Sequence, residues 1–259
     1  MQGLYTAPTD AALAFDISAA KTFGFNTVRL HQKINPERWY YHADRIGVLV
    51  FQDAVQTDAM TQEPSVALFK EDWRRAIDGR RSHPSIVQWE IFNEGDCWDR
   101  APFNVTEMVE FTRALDPHRL VDTHSGAPNL NAGGDVNDIH SYSPIGPPEP
   151  NATHHQYSMI GEFGGVGAFV KGKAWVPGQC NTYLHVPTPA DEATVYIQMA
   201  QKIERMTTVS AAIYTQIADV ELECDGFLNY DRTNKFDASS IAAIKAANEA
   251  LIRSAAVRG

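Results

Sequence analysis

Short apolar runs alternate along this chain with longer segments whose apolar residues recur at helical spacing. Pro8-Thr9-Asp10 can cap a helix running to about Thr22, and Gly24 stops it. Phe25 to His31 then reads as a strand, and Asn35-Pro36 opens a second helix that Gly47 closes. Val48-Leu49-Val50-Phe51-Gln52-Asp53 is a continuous apolar run, the form expected of a buried parallel strand. A longer helix is expected over Ser65 to Arg81, with His83-Pro84 breaking it before a strand that ends at Glu94. Further helices are expected near Thr106 to Leu115, Asp191 to Met206 and Ala238 to Ser254. Further strands are expected at Leu120 to Thr123, Asp138 to Tyr142, up to Glu162, and Ala211 to Gln216.

Strand and helix therefore alternate, which implies parallel strands joined by helical crossovers. The count is seven strands, one short of an eight-stranded barrel. Residues 1–9 read as a loop entering a helix with no strand before it. The expected fold is thus an α/β (β/α)8 TIM barrel lacking its first strand, one domain over 1–259. A length of 259 residues suits a barrel of roughly 250.

Composition narrows the class. With 44% hydrophobic residues the chain can bury a sizeable core, and a net charge of -10 argues against nucleic acid and anionic membranes as partners. No signal peptide opens the chain and no run of ~18 apolar residues could span a bilayer, so a cytoplasmic protein is expected, or a secreted one if the natural start lies upstream. Cys97, Cys180 and Cys224 are an odd number without Cys-x-x-Cys spacing. Free thiols are expected, with at most one bridge. Asn104-Val105-Thr106 and Asn151-Ala152-Thr153 match the glycosylation sequon, which is frequent by chance.

Two glutamates stand where apolar runs give way to glycine: Glu94, after Ile86-Val87-Gln88-Trp89-Glu90-Ile91-Phe92-Asn93, and Glu162, before Phe163-Gly164-Gly165. Polar residues at the C-terminal strand ends of a barrel line its active face, so both carboxylates are candidates for glycosidic bond cleavage. The alternative for each is a solvated loop or turn acid. Arg29 sits inside a strand, which disfavours a plain surface ion pair.

Several segments resemble the catalytic barrel of the family-2 glycoside hydrolases, the β-galactosidase, β-glucuronidase and β-mannosidase group. They are Gly24 to His31, Asp44 to Asp53, His83 to Gly95, Ile160 to Gly165, and Tyr214 to Glu221 continuing to Gly226 to Arg232, in family order. The resemblance implies a retaining mechanism, with two carboxyls about 5–5.5 Å apart and no cofactor or metal. Glu162 would be the nucleophile and Glu94 the acid/base, Asn93 would meet the sugar 2-hydroxyl, and Arg29 would hold Glu162 ionised. Tyr142 would donate to the nucleophile. His31, Asp53 and His140 are candidates for sugar contact, and Trp98 and Trp175 for stacking on sugar faces. The other reading of each is a satisfied rim residue or a packing aromatic; Trp39 and Trp89 are assigned to packing.

The family's β-sandwich domains are absent from this chain. An open barrel exposes a strand edge, so self-association or completion by another chain is expected. A second reading is a carbohydrate-binding or scaffold fragment without turnover. A metal-dependent barrel hydrolase is disfavoured, since no His-x-His or His-Glu-x-x-His occurs and His154-His155 is a loop pair. The sugar is not readable: Lys171 and Lys173 offer cations for a uronic acid, but lysines in such a loop are usually solvated.

Overall fold

The computed structural model describes residues 8–56, 63–94, 104–126, 133–147 and 155–256. The elements in chain order are α1 (Asp10–Thr22), β1 (Thr27–Leu30), α2 (Glu37–Ile46), β2 (Leu49–Asp53), α3 (Glu63–Arg80), β3 (Ile86–Asn93), α4 (Val105–Leu115), β4 (Leu120–Ser125) and β5 (Val136–His140). They continue with β6 (Tyr157–Gly164), β7 (Val166–Gly167), β8 (Leu184–His185), α5 (Pro189–Glu204), β9 (Val209–Thr215) and α6 (Ala238–Ala256). The seven strands expected from the sequence are all present; β7 and β8 are two-residue additions among the described residues. Every expected helix forms within about two residues of its expected ends. None of the described helices is long and apolar enough to cross a membrane.

The chain divides into two compact units. The first comprises Met1–Ser18, Asn26–Ile139 and Pro148–Met159. Its centre is a parallel sheet in the order β1-β2-β3-β4. Strand β3 has buried residues on both faces, which is why its sequence is nearly continuously apolar rather than alternating. On one face Trp89 meets Trp73 of α3 edge-on at 5.5 Å. Both indole N–H groups are satisfied, Trp73 donating to Thr112 Oγ1 at 3.0 Å and Trp89 to Asp116 Oδ2 at 3.1 Å. Trp39 and Trp89 are buried in this core, as assigned. Asn104 caps α4 by accepting from the Glu107 N–H.

On the other face the register sets polar groups side by side. Asp53 pairs with Glu90, and Glu90 with Asp122. Because side chains alternate along a strand, Gln88 and Glu90 point away from the tryptophan layer.

The second unit comprises Ala19–Phe25, His140–Pro147 and Ile160–Gly259. Strand β6 enters it at Ile160 and is hydrogen-bonded to β9. Its core is aromatic: Phe163, Tyr196, Tyr214 and Phe227 contact one another, and Phe23 and Phe236 pack on Phe227. Cys180 and Cys224 form a disulfide with Cα atoms 5.3 Å apart, an ordinary spacing. The expectation of free thiols is corrected here: the long loop after β6 returns Cys180 to a partner 44 residues away, which spacing alone does not disclose. Cys97 lies outside the described residues.

Candidate active site

In the first unit the site is built on the C-terminal ends of β1, β2 and β3. Arg29, with a side chain 2% exposed, directs its guanidinium at three neighbours. Its Nε donates to Asp53 Oδ1 at 3.0 Å and its Nη2 to Asp53 Oδ2 at 2.8 Å, a bidentate pair. Nη2 also donates to Asn93 Oδ1 at 2.9 Å. Glu90 Oε2 stands 2.5 Å from Nε, but with that N–H already on Asp53 the contact is charge proximity rather than a second hydrogen bond.

Burial pushes the Asp53 carboxyl up, but the Arg29 charge and hydrogen bonds from His31, Glu90 and Arg29 overcome it and hold it well below the usual range. For Glu90 burial wins. With Asp53 and Asp122 alongside, its carboxyl is pushed well above the usual range despite Arg29. One arginine thus holds one carboxyl down while burial and the neighbouring acids push the adjacent one up. Burial also raises Asp122, to about 6. Gln88 Nε2 donates to Glu90 Oε1 at 3.1 Å, and the Tyr157 hydroxyl donates to Gln88.

Asn93 is fixed on its backbone as well. Gln56 accepts from its N–H at 3.0 Å and donates to its carbonyl at 2.9 Å. Glu94 follows with φ 49°, a left-handed conformation uncommon for a non-glycine residue, and its N–H donates to Ser125 O at 2.9 Å. Its side chain is exposed at the end of the strand. His31 is 54% exposed, with Nδ1 3.4 Å from Asp53 Oδ2.

In the second unit Glu162 stands near the end of β6, 13% exposed. The Tyr142 hydroxyl donates to Glu162 Oε2, and His140 Nδ1 lies 3.4 Å from the same oxygen. The Ser141 N–H donates to the Glu162 carbonyl at 2.9 Å, anchoring the donor segment to the strand. Burial and then the Glu162 charge push the Tyr142 phenol above its ordinary value, so it remains a donor. Gly164 follows with φ 106°, and a Cβ there would meet the Tyr214 ring at 2.2 Å. The glycine pair after the glutamate is therefore required by close packing.

Of the predicted residues, the structure brings Arg29, Asp53, His31 and Asn93 together in one unit, and His140, Tyr142 and Glu162 in the other. Trp98 lies outside the described residues. Trp175 is 53% exposed and meets the Tyr230 ring at 4.9 Å. Lys173 is paired with Asp231 at 2.5 Å. Glu90, Gln56 and Asp122 were passed over in the sequence; a charged residue at an inward position of a strand is the signal that marks Glu90 and Asp122.

Acids at the carboxyl ends of parallel strands joined by helical crossovers are the arrangement of an α/β-barrel domain. The chain belongs to the glycosyl hydrolases of family 2, matching the family's TIM barrel domain over residues 7–143. The β-galactosidase of Lactococcus lactis subsp. lactis is 28% identical over 159 residues, 58% of this chain and 16% of that protein. A putative β-glucuronidase of Formosa agariphila is 31% identical over 132 residues, 49% of this chain and 12% of that protein. The chain thus spans a small part of the curated relatives it matches. Among solved structures, Bacteroides uniformis β-glucuronidase 2 superposes with a TM-score of 0.71 at 16% identity, covering 93% of this chain and 33% of that one. A family-2 β-galacturonidase from Eisenbergiella tayi gives 0.66 at 18% identity, over 93% and 48%. The fold is that of the family's TIM barrel domain.

Proposed function

We propose that the chain is the catalytic domain of a retaining β-glycosidase that removes terminal β-linked sugars by double displacement. The observation that carries this reading is membership of family 2, in a chain with Glu94 immediately after β3 and Glu162 two residues before the end of β6. Glu162 attacks the anomeric carbon and forms a glycosyl-enzyme. Glu94 protonates the departing oxygen, then takes a proton from the water that resolves the intermediate. The donated hydrogen bond from Tyr142 keeps the Glu162 carboxyl oriented. Asn93, oriented by Arg29 and Gln56, presents its amide to the sugar 2-hydroxyl. His31 and His140 serve as sugar contacts, and Asp53 acts through Arg29 and His31. Both compact units belong to this one domain.

The test is turnover of a panel of aryl β-glycosides (galactoside, glucoside, glucuronide, mannoside), with Glu162→Gln alongside. Wild-type turnover of one sugar, reduced on the order of 10⁴-fold or more in the variant, is expected for a nucleophile. Equal turnover by both proteins sinks the assignment. Sugar binding without turnover moves the chain to the reading of a binding fragment.

A further inference from the structure

Tyr183 is 62% exposed, so its burial contributes little to stability. Three features nevertheless act to place it. The segment carrying it forms a parallel ladder, with the Leu184 N–H donating to Gly165 O at 3.0 Å and the Val186 N–H to Gly167 O at 3.0 Å. Just before it, Cys180 is bonded to Cys224, and Asn181 exchanges backbone hydrogen bonds with the 222–224 segment. Beneath it, Gly165 has φ +59°, and a Cβ there would lie 2.5 Å from Tyr183 Cδ2. The outcome is a ring laid flat on Tyr142, with centroids 3.7 Å apart and planes 6° from parallel. Tyr142 is the residue whose hydroxyl donates to Glu162. A phenol hydroxyl points where its two side-chain torsions send it, and a ring face-on against it blocks one direction of swing.

We propose that Tyr183 is a positioning residue that clamps the Tyr142 ring so that its hydroxyl stays on the Glu162 carboxylate. The part of this concerning rate rests on the glycosidase reading above; the part concerning Tyr142 does not. The experiment compares wild type with Tyr183→Phe, Tyr183→Ala and Tyr183→Leu. Phenylalanine keeps the flat face, alanine removes it, and leucine covers Tyr142 without a flat ring, which separates stacking from simple burial. Rates on aryl glycosides are normalised to sites titrated with a 2-deoxy-2-fluoro glycoside, so that misfolded protein does not count. In parallel, tyrosine labelled with ¹³C at Cζ, its Tyr142 signal assigned with Tyr142→Phe, reports the pH at which that phenol ionises.

In wild type and Tyr183→Phe, Tyr142 is expected to ionise above the ordinary phenol value of about 10. In the alanine and leucine variants it is expected to ionise lower, and kcat to fall about 10-fold or more with KM within about twofold, as for a misplaced catalytic group. An unchanged Tyr142 titration in both truncated variants overturns the proposal whatever the turnover. So does an unchanged rate per titrated site in an active protein. A Tyr142 shift in protein that is silent on every glycoside supports the clamp and fails the glycosidase reading.

Discussion

Among the described residues each compact unit buries a cation among several acids, and the two clusters differ in a way that shows what each cation does. In the first unit Arg29 meets Asp53, Glu90 and Asn93, which lie on strands held in fixed register. In the second, Lys235 has a fully buried side chain and meets Asp219 at 2.8 Å, the Cys224 carbonyl at 2.6 Å and Glu192 at 3.8 Å. The planar guanidinium can divide its donors between an ion pair and Asn93, the residue next to Glu94. The ammonium is a point charge, and its partners lie on α5 and the loop after β9. Arg29 therefore orients a site residue; Lys235 ties a loop to the helix layer. The acids respond differently too. In the first cluster Asp53 is held below the usual range while Glu90 and Asp122 beside it are raised. In the second, burial raises all three acids, Asp219 despite its ion-pair geometry, Asp225 to about 6 and Glu192 to about 8.

Removing each cation breaks this comparison most directly. Arg29→Met strands Asp53 beside Glu90 and Asp122 and is expected to cost about 3–5 kcal/mol at neutral pH in chemical denaturation. A depressed pKa contributes stability that is present above the unfolded value of about 3.9 and lost as pH falls through the folded one. The Arg29→Met deficit should therefore keep shrinking as pH falls into the acid range, because wild-type Asp53 stays ionised there while the variant's stranded Asp53, raised by burial, has already taken up a proton. Lys235→Met should cost less, about 1–3 kcal/mol, because its acids already lean toward the neutral form. That deficit should shrink as pH falls from about 8 to 6, the range in which Glu192 and Asp225 take up protons. If the two deficits follow the same pH course, the distinction between the clusters is wrong.

The first cluster was partly legible in the sequence and the second was not. Arg29 lies inside a recognisable strand, which disfavoured a surface ion pair, but its partners Asp53, Glu90 and Asn93 were not read from the sequence. Glu90 was hidden because the run from Ile86 to Phe92 was read for hydrophobicity as a whole, and the pairing that faces it toward Asp53 and Asp122 is a matter of register. Strand β5 was expected over Asp138 to Tyr142 but spans Val136–His140. Beyond it the Ser141 N–H still reaches the Glu162 carbonyl, and Pro144 cannot continue a ladder. That shift puts Tyr142 on the departing segment, where its hydroxyl can turn back onto Glu162. Lys235, by contrast, lies in a polar stretch where a solvated cation is the ordinary reading. Only the return of the 219–235 loop onto α5 and the Cys224 carbonyl buries it, and no local pattern encodes that return.

The smallest substitution is also the sharpest test of the second cluster. Glu192 is fully buried; its Oε2 accepts from the Ala168 N–H at 3.0 Å and stands 3.8 Å from Lys235 Nζ. Read by distance alone, this is an ion pair. Yet the ammonium is closer to Asp219, and burial outweighs Lys235 in lifting the Glu192 carboxyl to about 8. Between the unfolded value of about 4.3 and 8 the folded protein then holds one more proton than the unfolded chain, so rising pH removes stability, by at most about 1.4 kcal/mol per pH unit. Glu192→Gln keeps a neutral oxygen for the Ala168 N–H and cannot titrate. The variant should match wild type near pH 5, gain on it as pH rises, and run parallel to it above pH 8. An ionised Glu192 paired with Lys235 demands the reverse: a variant already less stable at pH 7. The sign of that one difference, measured by denaturation at pH 5 and pH 7, decides whether Lys235 serves one carboxylate or two.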